Sequence, residues 1–350
     1  MSDQVSEQVY VVPPPAIALR LATAYQTSRA LIVAVKLGIP DVLRNGAMRS
    51  ADIARDTGSH PEAMLRLLRV LAAFDVVKDL GTGEFELTEV GNCLRADVPN
   101  SLHPLILLYG SETFWQTSAS LADCVRTGKN AFQLLHGMES IFAYLEKQGD
   151  LARIFDDAMT SRSSITGQAV AEAYDFGGVG RVVDIAGGRG KMLASILKAH
   201  PQLHGTLFDL PRVVENALGL LVKEGVADRC EIVGGDMFTS VPPGGDLYLL
   251  AHVIHDWDDP RAIEVLRSCR RAMGPKAKLL IIDRAMPERV EASPLAQSNA
   301  LADLTMMMVT GGGRERTAKQ FEALVSATGL RFERVIPMPI PDSLIEATPI

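Results

Sequence analysis

The sequence predicts an α/β protein, a mainly parallel sheet with helices on both faces, preceded by a mostly helical N-terminal region. Three observations carry this. From Val179 onward, apolar runs of strand length alternate with helical stretches. From Ile17 to Ala96, apolar residues recur at helical spacing and lead into a hairpin pattern. Titratable groups collect where the predicted strands end, and open α/β sheets hold ligands beyond the carboxyl ends of their strands.

The elements follow in order. Ala16 to Lys36 is rich in Ala and Leu and reads as one helix, with Gly38 as its stop. Ser50 stands where it would cap a short helix through Asp56, ending at Gly58. His60-Pro61 opens another, with Met64, Leu67, Leu68 and Leu71 on one face. Val76-Val77-Lys78, a Gly81-Thr82-Gly83 turn and Phe85-Glu86-Leu87-Thr88 read as a β-hairpin. Two short helices and a hairpin form the pattern of a winged helix. Ser111 to Tyr174 reads as further helices, with Phe114, Trp115, Phe132, Phe142, Tyr144, Phe155 and Met159 scattered along them. Most belong to a core, and some suit the walls of a pocket for a flat organic ligand. Strands are expected at Arg181–Ile185, His204–Asp209, Glu231–Val233, Asp246–Ala251 and Lys278–Asp283, with a helix at Met192–His200. Arg331–Met338 and Ser343–Ala347 would add an antiparallel pair.

Bulk properties narrow the function. The 350 residues suit about two domains, and 47% hydrophobic with 22% charged residues is an ordinary globular composition. A net charge of −7 argues against nucleic acid or an anionic membrane as partner, because phosphate binding needs a basic footprint. The winged helix nevertheless raises a transcriptional regulator as an alternative, with Arg66 and Arg69 on the recognition helix Pro61–Ala73. Neighbouring acids roughly cancel those charges, and packing against a second copy accounts for the same helices. Cys93, Cys124, Cys230 and Cys269 are scattered, which fits reduced thiols in the cytoplasm and no zinc site. The N-terminus lacks a signal-peptide core. No apolar run approaches the roughly 20 residues needed to span a bilayer.

Four strand ends carry the chemistry. Ala186-Gly187-Gly188-Arg189-Gly190 offers close backbone approach and helix N–H groups to a negative group. It does not complete G-x-G-x-x-G, because Leu193 stands at the third glycine, and it lacks the Lys-Ser/Thr of a phosphate loop. Asp209 is placed to accept from ribose hydroxyls, or is an ordinary loop aspartate before Leu210-Pro211. Gly234-Gly235-Asp236-Met237-Phe238 closes the next strand with an acceptor and flat or polarisable packing. Together they describe a pocket for an adenosine with a charged tail and no phosphates. Ala251 to Asp259 then places His252, His255, three carboxylates and Trp257 in nine residues. It reads either as a proton-transfer site or as a helix start, for which Asp259-Pro260 supplies an N-cap and a first-turn proline.

The chain resembles the S-adenosylmethionine-dependent O-methyltransferases of secondary metabolism, from Ala22 to the Ser343-Leu344-Ile345-Glu346-Ala347 end. Four motifs occur in order: Val183-Asp184-Ile185-Ala186-Gly187-Gly188-Arg189-Gly190, Phe208-Asp209-Leu210-Pro211, Gly235-Asp236-Met237-Phe238 and His255-Asp256-Trp257. Gly312-Gly313-Arg314-Glu315-Arg316-Thr317 follows as a fifth. Ala186 departs from the usual glycine. The resemblance implies a Rossmann-like class I methyltransferase sheet with an N-terminal, winged-helix-like dimerisation domain. It divides the chain into residues 1–100 for dimerisation, 101–175 as a helical linker lining the substrate, and 176–350 for binding S-adenosylmethionine, released as S-adenosylhomocysteine.

The resemblance also implies site residues. His255 becomes the base for a hydroxyl of a small aromatic acceptor, with Asp283 and Glu315 as orienting acids. Asp283 stands where many relatives carry glutamate, one methylene longer. Thr317-x-x-Gln320 forms a capping box without Glu315, which leaves that carboxylate free to face inward. Asp184, Gly187, Gly188, Asp209, Leu210, Gly235, Asp236, Met237, His252 and Trp257 fall on the cofactor side. Met159, Met306, Thr310, Phe114 and Trp115 fall on the acceptor side. No metal is implied. N-methylation, or cofactor binding without methyl transfer, is the nearest competing reading.

Overall fold

The computed structural model describes residues 12–350. The signal-peptide reading falls on the N-terminus and lies outside the described residues. The chain separates into two units at Gly110/Ser111.

In the first unit the predicted helix over 16–36 is two helices, Pro14–Ala22 and Ala24–Lys36. Thr23 interrupts them at ψ near 0°, and its hydroxyl turns back to donate to the Leu19 carbonyl at 2.9 Å. A hydroxyl that competes for the helix's own carbonyl is poor helix interior. Gly38 follows at φ +71°, where a side chain would be strained. Ser50 is the first residue of helix Ser50–Asp56 rather than its cap. Its backbone N–H donates to the Gly83 carbonyl at 3.0 Å, tying the helix to the hairpin. Helix Pro61–Ala73 buries Met64, Leu68 and Leu71. Strands β1 (Met48–Arg49), β2 (Val77–Asp79) and β3 (Glu84–Leu87) pair antiparallel in the order β1-β3-β2 around the buried Phe85. The winged-helix pattern is thus present, with a third short strand that the sequence reading lacked.

The second unit is built on a seven-stranded sheet. Its strands are β4 (Arg181–Ile185), β5 (His204–Asp209), β6 (Cys230–Gly234), β7 (Leu247–Ala251), β8 (Lys278–Asp283), β11 (Leu330–Pro337) and β12 (Ser343–Pro349). The order is β11-β12-β8-β7-β4-β5-β6. β4 to β8 are mutually parallel, and β12 runs antiparallel between β8 and β11. Their near-continuous apolar character follows from burial on both faces. One apolar cluster holds Val183, Leu250 and Ile281, and the opposite cluster holds Val182, Leu249 and Leu280. β9 (Ala285–Met286) and β10 (Arg316–Thr317) form a separate parallel pair.

The strand order reverses between β4 and β7, which opens a crevice at their carboxyl ends. Both strands leave the sheet through a left-handed residue other than glycine: Ala186 at φ +54° and His252 at φ +55°. Such conformations cost on the order of 1 kcal/mol and persist where the surroundings fix them. Ala186→Gly is therefore expected to raise unfolding free energy by up to about 1 kcal/mol, read as a higher urea midpoint at unchanged slope. A lower midpoint would show that Ala186 carries no strain.

Candidate active site

Past β7 and His252, Ile254–Asp256 forms a single 3-10 turn and the chain enters helix Asp259–Ala272. The N-cap is Asp258, whose carboxylate accepts the Arg261 N–H at 3.0 Å. Asp259, expected as the cap, is instead the first helical residue. Its carboxylate is free to meet Arg314 and Arg316.

Arg316 is fully buried. It donates to the Ile254 carbonyl at 2.8 Å, the Trp257 carbonyl at 2.7 Å and Asp259 Oδ1 at 2.8 and 3.1 Å. The Arg314 N–H donates to the His255 carbonyl at 2.8 Å. At Gly313 a Cβ would lie 2.4 Å from that carbonyl oxygen and 2.3 Å from Thr310 Oγ1, so only glycine fits. The Glu315 N–H donates to Asp303 Oδ1 at 2.8 Å. Segment 313–316 is thereby zipped to the turn that carries His255.

The result is a buried cluster. His255 is 3% exposed. Its Nδ1 lies 3.0 Å from Glu315 Oε1 and 3.5 Å from Asp283 Oδ1. Asp283, at the end of β8, uses Oδ2 to accept the His255 backbone N–H at 3.2 Å. Its shorter reach thus places it chiefly on the backbone, and Glu315 takes the ring. His255 Nε2 is 3.7 Å from Asp256 Oδ1, too far for a hydrogen bond. Burial alone would depress the imidazole, but the Asp283 charge, the Glu315 hydrogen bond and the Asp256 charge outweigh it and hold the pKa at about 9. Burial pushes Asp283 up to about 8, helped by the Glu315 charge, and Asp256 up to about 6. These groups titrate as one set.

His252 belongs to a second pair. Its Nε2 is 3.0 Å from Asp342 Oδ2, and its ring lies 5.8 Å from that of His255 at 30°. Burial, with help from Arg162, lowers its pKa to about 4. Asp342, although buried, is held well below the usual carboxylate range by His252, Arg162 and Arg284. At neutral pH this pair is a neutral imidazole donating Nε2–H to a carboxylate.

At the other strand ends, Asp184 is fully buried and neither carboxylate oxygen has a hydrogen-bond partner. Burial and the Asp209 charge push it up to about 8. A Cβ at Gly187 would lie 2.6 Å from Asp184 Oδ2, whereas one at Gly188 would meet open space. Asp209 accepts the N–H of Gly188 at 2.8 Å and of Leu210 at 2.6 Å. A Cβ at Gly235 would strike the Phe208 ring at 2.5 Å. Asp236 accepts the Phe238 N–H at 2.9 Å. Trp257 meets Phe238 edge-on at 4.9 Å, Arg261 lies 3.6 Å above the Phe238 ring, and Met237 joins the same apolar set.

The acceptor-side residues are spread over three helices. Phe114 and Met306 pack around Phe132, Ile141 and Met308. Met159 and Trp115 are half-buried on helices Gly149–Ala173 and Glu112–Ala119. The Thr310 hydroxyl donates to the Met306 carbonyl at 2.8 Å and accepts the Gly313 N–H at 2.9 Å. That occupies it within its own turn. Sequence reading gave no role to Arg316 and missed Asp342, Asp303 and Arg162. Nothing in their local patterns marks them, since their partners lie far along the chain.

A doubly wound sheet with a glycine-lined crevice at its switch point and a buried histidine–carboxylate cluster beside it defines an enzyme acting on a bound nucleoside-type ligand. The O-methyltransferase domain profile matches residues 118–331, and the O-methyltransferase dimerisation domain profile matches residues 19–97. The chain is 38% identical to the phenazine O-methyltransferase of Lysobacter antibioticus, covering 97% of both chains. It is 39% identical to the O-demethylpuromycin-O-methyltransferase of Streptomyces alboniger, covering 95% of this chain and 88% of that one. A methyltransferase of calicheamicin biosynthesis, solved with S-adenosylhomocysteine bound, superposes with a TM-score of 0.84 at 32% identity, covering 97% of this chain and all of that one. The chain belongs to the S-adenosylmethionine-dependent O-methyltransferase family.

Removing Arg316 takes the side-chain donor from the partly buried Trp257 carbonyl and leaves the Ile254 carbonyl with only the Trp257 N–H, at 3.3 Å. Arg316→Met is expected to cost about 2–4 kcal/mol, measured from denaturation midpoints. A loss under about 0.5 kcal/mol would contradict the clamp, since that is the scale of an ordinary surface substitution.

Proposed function

We propose that the protein methylates a phenolic or enolic hydroxyl of a small aromatic metabolite, with His255 as general base. The observation behind this is the asymmetry of the ring. Nδ1 is engaged by Glu315, while Nε2 has no hydrogen-bond partner among the described residues. A ring that donates Nδ1–H to Glu315 carries its basic lone pair on Nε2. Nε2 takes the hydroxyl proton as the oxygen attacks. A phenol with a pKa of about 10 is roughly 3.5 units above an ordinary histidine, an uphill transfer of about 5 kcal/mol. Against an imidazole at about 9 the gap falls to about 1.4 kcal/mol.

The glycine-lined crevice and the unpartnered Asp184 oxygens fit a ligand with an amine and a close-packed backbone approach. When bound, S-adenosylmethionine supplies a methyl group on a sulfonium that leaves as a neutral thioether. Gly187, Gly188, Asp209, Leu210, Gly235, Asp236, Met237 and Trp257 would hold it, with Asp184 beneath and His252 alongside. Met159, Met306, Phe114 and Trp115 would line the acceptor. Thr310 would act by shaping the Gly312-Gly313 turn. Residues 1–100 would pair two copies, which the dimerisation-domain match and exposed Leu19, Leu21, Tyr25 and Phe74 support. Residues 101–175 would serve the acceptor and 176–350 the donor. The free thiols suit a reducing cytoplasm. Among the described residues no helix is long and apolar enough to cross a membrane.

His255→Ala is expected to lose a factor of about 10² to 10⁴ in turnover on a phenol. It should bind S-adenosylhomocysteine as before by calorimetry. Undiminished turnover would remove the base assignment.

A raised pKa keeps the ring protonated, and so unable to accept a proton, up to higher pH. kcat/KM is therefore expected to climb through neutrality and level off near pH 9. In Glu315→Gln the amide oxygen can still accept from Nδ1–H but the charge is lost, so that limb should move down from about 9 toward neutrality, with Asp283 and Asp256 still holding it up. A limb that stays in place would exclude the coupling.

A further inference from the structure

The geometry points to a carboxylate-binding subsite beside His255, formed by Arg162 with Arg284 and Asp342. Asp342 lies just before β12 and is 5% exposed. One of its oxygens faces His252, as described. The other, Oδ1, is buried without a hydrogen-bond partner. Two guanidinium groups stand just outside hydrogen-bond distance of it, Arg162 Nη2 at 3.7 Å and Arg284 Nε at 3.8 Å. Arg284 Nε is itself without a hydrogen-bond partner, although Arg284 Nη1 donates to Ser298 and Asn299. The Arg162 side chain is three-quarters buried, and it makes no hydrogen bond among the described residues. Its five donors form a fork suited to a carboxylate.

His252 donates to Asp342 as a neutral ring, so one carboxylate faces two guanidinium groups. Asp256 is the other carboxylate whose charge interacts with Arg162, and its Oδ1 is 3.7 Å from His255 Nε2. Arg162 therefore brings unused donors into a largely buried polar cluster, which a bidentate anion would satisfy. Its placement connects it to the reaction. Met159 and Arg162 lie three residues apart on helix Gly149–Ala173, hence on one face. The His252 ring that Asp342 holds stands 5.8 Å from His255. A carboxylate next to the reacting hydroxyl of an acceptor would satisfy both ends. So would the carboxylate on the donor's amino-acid tail. The inference rests on the methyltransferase reading of the same site.

The test uses Arg162→Gln and Arg162→Lys in the full chain, with thermal midpoints as a folding control. Calorimetry measures S-adenosylhomocysteine binding first. It then measures 2-hydroxybenzoate and phenol binding to the S-adenosylhomocysteine-saturated protein. An acceptor subsite predicts that the native protein prefers 2-hydroxybenzoate by about tenfold or more. Arg162→Gln abolishes that preference with phenol binding unchanged, and Arg162→Lys restores part of it. A donor subsite predicts instead that S-adenosylhomocysteine binding weakens about tenfold in Arg162→Gln and less in Arg162→Lys. Unchanged binding of all three ligands in folded Arg162→Gln overturns the subsite. The His255→Ala protein should keep the carboxylate preference whatever its turnover, so failure of the subsite and failure of the base assignment read out separately.

Discussion

The buried Arg316 guanidinium is the contact on which the site's geometry depends. His255 and Glu315 are sixty residues apart, on a turn after β7 and on a segment before a later helix. Neither element is regular enough to fix a side chain alone. Arg316 ties the two by filling the carbonyls of Ile254 and Trp257 and by pairing with Asp259. Guanidinium suits this because its planar donors satisfy three acceptors at once, where an ammonium would act as a point charge. Once Arg316 is in place, Glu315 next to it faces the imidazole.

Two histidines in the same cluster are driven in opposite directions, and the reason is local. His255 has carboxylates on several sides, so burial is overcome and the ring stays basic. His252 has one carboxylate whose charge is shared with Arg162 and Arg284, so burial prevails and the ring stays neutral. Two rings 5.8 Å apart could not both be charged at small cost. Their partners settle which one carries the proton.

Much of this was legible in the sequence because it is local. The parallel strands are apolar runs with sharp ends, and their alternation with helices implies a parallel sheet, whereas the reversal of strand order at β4 and β7 rests on long-range pairing that no local pattern marks. The capping box at Thr317-x-x-Gln320 forms as its spacing implies. Misreadings were of a different kind. At Thr23 a side-chain hydroxyl breaks a helix that composition favours. At Ser50 and Asp259 a good capping residue lies one place inside the helix. In the Asp258-Asp259 pair either aspartate could cap, and Arg316, fifty-seven residues later, engages the second. Asp342 and Arg162 were invisible for the same reason: their roles come from partners in distant segments.

Gly313 carries a mechanical meaning. Segment 310–317 and the turn 254–259 meet there with no room for even a methyl group between them, since a Cβ would lie 2.4 Å from the His255 carbonyl oxygen. They form one stiff block, held by close contact as well as by hydrogen bonds. Helix Gly149–Ala173 is fastened to the glycine loop by exposed ion pairs from Asp156 and Asp157 to Arg189. Such pairs are weak and sensitive to salt. They are not its main attachment, because the helix buries Ala158, Gly167, Ala169 and Val170, so the rigid anvil for proton transfer faces a wall held by packing, with only its edge beside the glycine loop open to loosening by salt.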